Sequence, residues 1–255
     1  MAHFSPEPTS TFAMGCLHSR ASLFRRILAL GPIALLFLLG GCGSTTLFQS
    51  SFNSAVGAPP QTAQATGTVT VSGATGSVVV ASPPPNANGG WVSISRANSQ
   101  GAPISTLTCN LSQPPQNGSY SLLSVLFIPK GSGLATLEFD TSPSAGPPLA
   151  GFLHLDFGNF TQPNTVRIND DNSQLFGTFP RDQFFTVAVN MNISSSAATA
   201  TINLYGSGAS GTKDVNIVSN ITPLSLPQQF GAVKFFMGFP WSGSFEASDI
   251  LVTRK

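Results

Sequence analysis

The sequence predicts an all-β protein built as a sandwich or barrel of short antiparallel strands. From residue 66 onward, apolar and polar residues alternate with a period of two in one segment after another, and turn residues separate the segments. Charged residues make up only 8% of the chain, which is too few for the wet faces of long amphipathic helices. The 20 phenylalanines are more than enough to fill the space between two sheets.

The alternating segments follow one another with Gly, Pro, Ser and Asn between them. The first two flank a Ser-Gly-Ala-Thr-Gly turn, which predicts a hairpin. Roughly a dozen short strands at this spacing are typical of a sandwich or a barrel. The main predicted strands are 68–71, 77–80, 91–95, 120–128, 135–140, 151–157, 184–191, 199–205, 232–239 and 244–252.

The N-terminus carries the pattern of an export signal. Three arginines between residues 20 and 26 precede an uncharged apolar stretch over 27–39. This stretch is shorter than the about 20 residues that a transmembrane helix needs, and a basic region before a short apolar region is typical of a signal peptide. We therefore predict a helical signal segment over 1–41, with Met14 as an alternative start.

Leu39-Gly40-Gly41-Cys42 follows the apolar stretch and resembles the lipobox of bacterial lipoproteins. The resemblance implies cleavage before Cys42, a diacylglyceryl thioether on its sulfur and a further acyl chain such as palmitate on its new amine. Two or three chains anchor well, since each buried methylene contributes roughly 0.8 kcal/mol. The alternatives are a plain secretory signal with a chance cysteine and an uncleaved anchor. In a Gram-negative envelope, Gly43 in place of aspartate favours the outer membrane.

Residues 42–65 are small, polar and Pro-containing, without sustained periodicity. Such a composition buries too little apolar surface to order itself, so these residues are predicted to form a flexible tether to one domain over 66–255. Cys109 is then the one cysteine that the lipid does not use, and no intramolecular disulfide can form. It shares a strand face with Leu107 and Leu111, which favours a small buried core residue over a reactive thiol.

The C-terminal third, from about residue 175, resembles the closing strands of concanavalin-A-like lectin and glucanase jelly rolls. The matching segments are FPRDQFFTVAVNMN, ATATINLYG and FGAVKFFMGFPWSGSFEASDILVTRK. The resemblance implies a two-sheet antiparallel jelly roll in a superfamily of sugar binders, glycanases and structural modules. A fold alone does not choose among these functions.

Composition and motifs exclude several kinds of chemistry. Eleven basic and ten acidic residues give a net charge of +1, which provides no basic surface for nucleic acid. His154 is the single histidine beyond the signal segment, and no Gly-x-Ser-x-Gly elbow or phosphate-binding loop is present. Paired carboxylates are the one catalytic option that remains.

Glu138 and Asp140 stand two residues apart in a predicted strand, which places them on one face with Cα atoms roughly 6.6 Å apart. Such a pair can serve as the acid and the nucleophile around a glycosidic bond. Jelly-roll glucanases that resemble this arrangement carry Glu-x-Asp-x-Glu or a near variant, whereas Thr141, Ser142 and Pro143 follow here. The further Glu is missing, so the prediction is a protein that is not an enzyme, with glycoside hydrolysis as the alternative.

If 135–140 pairs with 151–157, then Glu138, Asp140, His154 and Asp156 share one polar face. Such a face is either a solvated sheet surface or the floor of a groove that binds a glycan or a cation. Like charges gathered on one face repel one another, which favours a bound cation or a raised pKa.

Two other segments hold weaker candidates. Asp170 and Asp171 lie in an Asn-Asp-Asp-Asn segment that offers oxygen ligands for calcium, although it lacks the calcium-loop pattern and Asx-rich turns are common. Trp241 lies in a predicted hairpin loop, where an aromatic ring either stacks on a sugar or caps the end of the sandwich. Trp91, inside an alternating strand, is predicted to lie in the core.

These observations predict a lipid-anchored protein of the bacterial cell envelope with one non-catalytic β-sandwich. No resident cofactor is expected, and calcium is the one ion that the acidic residues favour. The predicted partners are the membrane, through Cys42, and either a polysaccharide or another envelope protein that pairs with an exposed strand edge.

Overall fold

The computed structural model describes residues 43–98, 101–113, 117–141, 151–158, 161–194, 197–217, 230–238 and 241–255. The predicted signal segment and Cys42 lie outside these residues, as do 142–150 and 218–229. Within the described part no helix is long and apolar enough to cross a membrane.

Fifteen β-strands form the described part of the chain. All of the long alternating segments predicted as strands are strands in the structure. The strands are β1 Thr45–Gln49, β2 Thr68–Ser72, β3 Val78–Ala81, β4 Trp91–Arg96, β5 Thr106–Asn110, β6 Gly118–Phe127, β7 Ala135–Asp140, β8 Leu153–Phe157, β9 Val166–Ile168, β10 Asp171–Phe176, β11 Phe184–Ile193, β12 Ala198–Gly206, β13 Ala209–Asn216, β14 Ala232–Met237 and β15 Gly243–Arg254.

The strands form two antiparallel sheets. The first sheet has eight strands in the order β13-β12-β11-β6-β15-β4-β3, with β1 paired to β15 beside this path. The second sheet has seven strands in the order β10-β9-β8-β7-β14-β5-β2. Two separate sheets around one core confirm the predicted sandwich and exclude the barrel. The predicted hairpin of 68–71 and 77–80 is wrong, because β2 and β3 lie in different sheets.

The core lies between the sheets and is built from the inward positions of the alternating strands. Phe139, Phe235 and Phe245 are at most 1% exposed, and the Phe157 and Phe185 rings both contact Phe179, at centroid distances of 5.7 and 5.3 Å. Burying such rings removes the most apolar area per residue from water, so they contribute much of the stability.

Two predicted core residues are confirmed. Cys109 is fully buried, and burial raises the pKa of its thiol far above the ordinary value, which keeps the sulfur protonated and unreactive. The Trp91 side chain is buried, and its indole Nε1 donates to the Asn88 carbonyl at 3.1 Å. That bond satisfies the one polar group of the ring.

The structure differs from the predicted flexible tether over 42–65. Residues 45–49 form β1, which pairs with the end of β15, and Leu47, Phe48 and Phe52 are buried. The compact unit accordingly begins at Ser44. Averaged composition hid these apolar residues among small polar ones, although three of them suffice to hold a short strand against a core.

The residues that follow β1 cover the edge strands of both sheets. Gly57 donates to the Val80 carbonyl, and the Val80 amide donates to Ala58, both at 2.8 Å, at the edge of β3. At the edge of β2, the Val69 amide donates to the Thr62 carbonyl at 2.8 Å. Backbone groups that an edge strand leaves open are therefore paired within the chain at these positions.

Strands β9, β10 and β13 have no counterpart among the predicted strands. In β13, the inward positions are Ala, Gly, Lys and Val, so no apolar alternation marks it, and eight consecutive partners on β12 hold it in place. Between β9 and β10, Asn169 and Asp170 have φ values of 52° and 58°. They form the two-residue turn that joins the hairpin, which confirms the predicted turn, while Asp171 belongs to β10.

Candidate functional site

Four predicted site residues lie on one face of the second sheet. Glu138 pairs across strands with His154, Thr136 pairs with Asp156, and Asp140 follows Glu138 at the next position of the same face. Residues on that parity point away from the core, because their neighbours Leu137 and Phe139 are fully buried between the sheets. We call the set Glu138, Asp140, His154, Asp156 and Lys234 the polar face.

The polar face is buried, unlike the solvated surface or open groove that the pattern predicts. Glu138 and Asp156 are 0% exposed, Asp140 is 2% exposed and His154 is 3% exposed. A period of two tells which residues share a face, but it does not tell what covers that face. Buried carboxylates require cations or hydrogen-bond donors nearby, and the neighbouring strands supply both.

Lys234 is the cation that the sequence reasoning missed. Strand β14 lies beside β7 with Lys234 opposite Glu138. The Lys234 Nζ atom donates to Glu138 Oε1 at 3.2 Å and makes a closer contact with Asp140 Oδ2. Its side chain is 5% exposed. A single lysine inside the apolar run Ala-Val-Lys-Phe-Phe-Met was the available signal, because a lysine is almost never buried without a charged partner.

Arg167 forms a second ion group at the β8–β9 side of the polar face. Its Nη2 atom lies 2.5 Å from Asp170 Oδ1 and 3.6 Å from Asp156 Oδ2, and Thr136 Oγ1 donates to Asp156 Oδ1 at 2.8 Å. Burial and the negative charge of Asp170 raise the pKa of Asp156 to about 6, against the opposing effects of the Thr136 bond and of Arg167.

His154 is held in one orientation by the backbone around it. Its Nε2 atom lies 3.0 Å from the Gly151 carbonyl, to which it donates, and 3.7 Å from Glu138 Oε2. Its Nδ1 atom is buried without a hydrogen-bond partner among the described residues. A side chain at Gly151 would meet Glu138 Cγ at 2.4 Å, so a glycine is required beside this cluster.

The predicted calcium candidates hold their own hairpin instead. Asp170 is the exposed partner of Arg167, and Asp171 Oδ1 accepts from the Ser173 amide at 2.8 Å and from its hydroxyl at 2.7 Å, which lowers the pKa of Asp171. Among the residues that the structure describes, no group of three or more His, Cys, Asp or Glu is arranged to hold a metal ion.

Trp241 does not join the polar face. It lies beyond the end of β14, with its amide donating to the Gly238 carbonyl at 3.0 Å and its carbonyl accepting from Arg96 Nη1 at 2.8 Å. Its side chain packs so closely on Gly133 that a Cβ there would meet Trp241 Cβ at 2.5 Å. The half-buried side chain therefore packs against this end of the sandwich, and stacking on a sugar stays a prediction.

Asp156 should make the protein more stable at mildly acidic pH than at neutral pH. Its folded pKa of about 6 lies above the ordinary value of 3.8, so the native state binds the proton more tightly, and this stabilisation is lost as the pH rises from 4 through 6. In Asp156→Asn, which keeps the acceptor for Thr136, stability relative to the parent chain should rise by up to about 3 kcal/mol between pH 4 and 7. Urea unfolding across that range measures the difference.

The matched control for this titration is Asp214→Asn, since Asp214 is an exposed carboxylate that also accepts from a threonine, Thr201. This control shows how the stability curve changes when an exposed carboxylate is lost, and the effect of Asp156→Asn is the excess over it. An Asp156→Asn curve that ran parallel to that of Asp214→Asn over pH 4–7 would contradict the assigned pKa.

Comparison with known proteins identifies the fold. No protein-family model and no curated protein matches the chain. Among solved structures, it is similar to an endo-1,3-β-glucanase from Streptomyces sioyaensis (14% identity, 84% of this chain and 97% of that chain, TM-score 0.50) and to a carbohydrate esterase from the Shiga toxin-encoding bacteriophage phi24B (13% identity, 84% and 100%, TM-score 0.51). Peanut lectin is also similar (12% identity, 84% and 98%, TM-score 0.48). The likeness to the glucanase and the esterase confirms the predicted two-sheet antiparallel jelly roll.

Proposed function

We propose that this chain is a non-catalytic carbohydrate-binding protein, held at the bacterial cell envelope by a lipid on Cys42. The observation that carries the proposal is the contact of Lys234 with both Glu138 and Asp140. These two carboxylates are the pair through which a glycosidase of this sequence would have to act.

Glycoside hydrolysis needs one carboxyl group as the acid and a second as the nucleophile or base, both facing the scissile bond. Glu138 and Asp140 are at most 2% exposed. The ammonium group of Lys234 is bonded to both, so the two carboxylates are engaged with a buried cation and are not exposed to a substrate. The pair compensates the charge of a buried lysine, which argues against a catalytic role.

Carbohydrate binding is supported by the fold and by the character of the exposed surface. The glucanase and the esterase that share this fold both act on carbohydrates, as their names state. On the outer side of the first sheet, β12 and β13 present hydroxyl and amide groups around one carboxylate, Asp214, and Thr212 Oγ1 donates to Asn203 Oδ1 at 2.9 Å. Hydroxyl and amide groups both donate and accept hydrogen bonds, which suits a neutral polyol.

Binding and hydrolysis are separated by one experiment on the full-length chain in detergent. The chain is incubated with a panel of polysaccharides that includes β-1,3-glucan, with and without calcium, and retention and released reducing sugar are both measured. We expect retention on a polysaccharide and no release of reducing ends. If the chain releases reducing sugar, and this activity is lost in Glu138→Gln but kept in the control Glu246→Gln, then the protein is a glycoside hydrolase instead. A folded chain that binds no polysaccharide would refute the carbohydrate proposal and favour an envelope-protein partner.

Lipidation of Cys42 is tested by metabolic labelling with palmitate in a bacterial host. The chain has three cysteines, at 16, 42 and 109, which provides two matched controls. We expect the label to be lost in Cys42→Ala and kept in Cys16→Ala and Cys109→Ala. Label that persisted in Cys42→Ala would exclude this residue as the anchor.

A further inference from the structure

The distance along the chain from Cys42 to the folded sheet is very short. Only Gly43 and Ser44 separate this cysteine from Thr45, the first residue of β1. An extended chain spans at most about 3.6 Å per residue, so the start of β1 lies within roughly 11 Å of the Cys42 Cα atom. A connection of this length restricts how far the sandwich can reorient relative to the lipid on Cys42.

The strand register shows which part of the sandwich lies at that point. Thr45 pairs with Arg254, and Arg254 pairs with Tyr120 near the start of β6. The start of β6 lies beside the end of β11, which in turn lies beside the start of β12. The end of β13 pairs with the start of β12 at the same side of the sheet. We call this side of the molecule the anchor end. It is defined by Thr45, Gly118, Ile193, Ala198 and Arg254.

The anchor end carries two basic residues. Arg254 Nη2 donates to the Asn117 carbonyl at 2.9 Å, which fixes the guanidinium beside the start of β6, and Lys255 next to it is exposed. The nearest carboxylate on β13, Asp214, lies two residues from the end of that strand and accepts from Thr201. Each Lys or Arg near an anionic membrane surface contributes about 1 kcal/mol of attraction.

We propose that the anchor end docks directly on the phospholipid surface, so that the opposite end of the sandwich is held away from the membrane. This inference rests on the proposed lipid at Cys42. Strand β12 runs from the anchor end to the turn at Ser207, and its nine residues span about 30 Å at 3.3 Å each. Ser207 and Trp241 are therefore presented outward, where an extracellular polymer can reach them.

The test places one fluorophore at each end of the sandwich in the lipidated chain, reconstituted in vesicles of phosphatidylethanolamine with 30% phosphatidylglycerol. Ser119→Cys and Ser207→Cys each introduce one exposed thiol, at the anchor end and at the far turn, while Cys109 is fully buried and does not react. Lipids with spin-labelled headgroups quench a fluorophore only at short range. We expect at least threefold more quenching at position 119 than at position 207.

A second variant isolates the effect of the short connection. Inserting twenty Gly and Ser residues between Gly43 and Ser44 gives a coil of about 25 Å root-mean-square length, and the quenching ratio should fall toward one. Equal quenching at 119 and 207 in the chain without the insertion, with palmitate label present, would overturn the docking while leaving the lipid anchor intact. Loss of both the label and vesicle association would overturn the anchor and the docking together.

Discussion

Replacing Lys234 by methionine is expected to lower the free energy of unfolding by about 3–5 kcal/mol. Methionine keeps most of the side-chain volume but removes the cation that contacts Glu138 and Asp140. Two buried carboxylates would then face each other without compensation, and removing one partner of a buried ion group costs about this much. Urea unfolding of the purified variant at pH 7 gives the value directly.

Two further variants separate the loss of charge from the loss of packing. Lys213→Met removes a half-buried lysine on β13 and should change stability by less than about 1 kcal/mol. Combining Lys234→Met with Glu138→Gln and Asp140→Asn removes all three charges, and most of the lost stability should return, because neutral groups are far cheaper to bury. A Lys234→Met chain as stable as the Lys213→Met chain would show that the ion group contributes nothing.

The second large effect is expected at Phe48, in the segment that composition predicts to be a tether. Phe48→Ala should destabilise the fold by about 3–5 kcal/mol, because the ring is fully buried and its removal leaves a cavity as well as lost apolar contact. Thr45→Ala on the same strand is the control, since Thr45 is exposed and should change stability by less than about 0.5 kcal/mol. Both values come from denaturant unfolding.

A Phe48→Ala chain that unfolded at the same denaturant concentration as its parent would mean that β1 adds nothing to the domain. The expected loss would instead make β1 an integral strand, which the docking of the anchor end also requires. In that case the stability of the sheet depends on these five residues, and so would the position of the lipid that we propose on Cys42.

The parts of the fold that depend on local alternation could be predicted from the sequence. The alternation in 135–140 was enough to place Leu137 and Phe139 in the core and to put Glu138 and Asp140 together on the other face. It also indicated that His154 and Asp156 share that face once β8 pairs with β7, as the register shows. Each of these inferences needs only the period of the strand and one neighbour.

The remaining features depend on contacts between distant parts of the chain. Lys234 lies 96 residues from Glu138 in sequence, and only the strand order that places β14 beside β7 brings them together. Burial of the polar face is equally non-local, since the pattern of β7 and β8 is the same whether the face is wet or covered. For β1, the local signal was present in Leu47 and Phe48, but averaging over a polar segment concealed it.

The hydrogen bonds that residues 57 to 62 make to β3 and β2 have a consequence for aggregation at high protein concentration. A shortened chain that began at residue 66 would lose β1. It would also leave Val69 and Val80 with open backbone groups, on an edge strand of each sheet. Open edges of this kind join to those of other molecules and lead to aggregation. By pairing these backbone groups within the chain, residues 57 to 62 thus keep each molecule separate from its neighbours at high concentration.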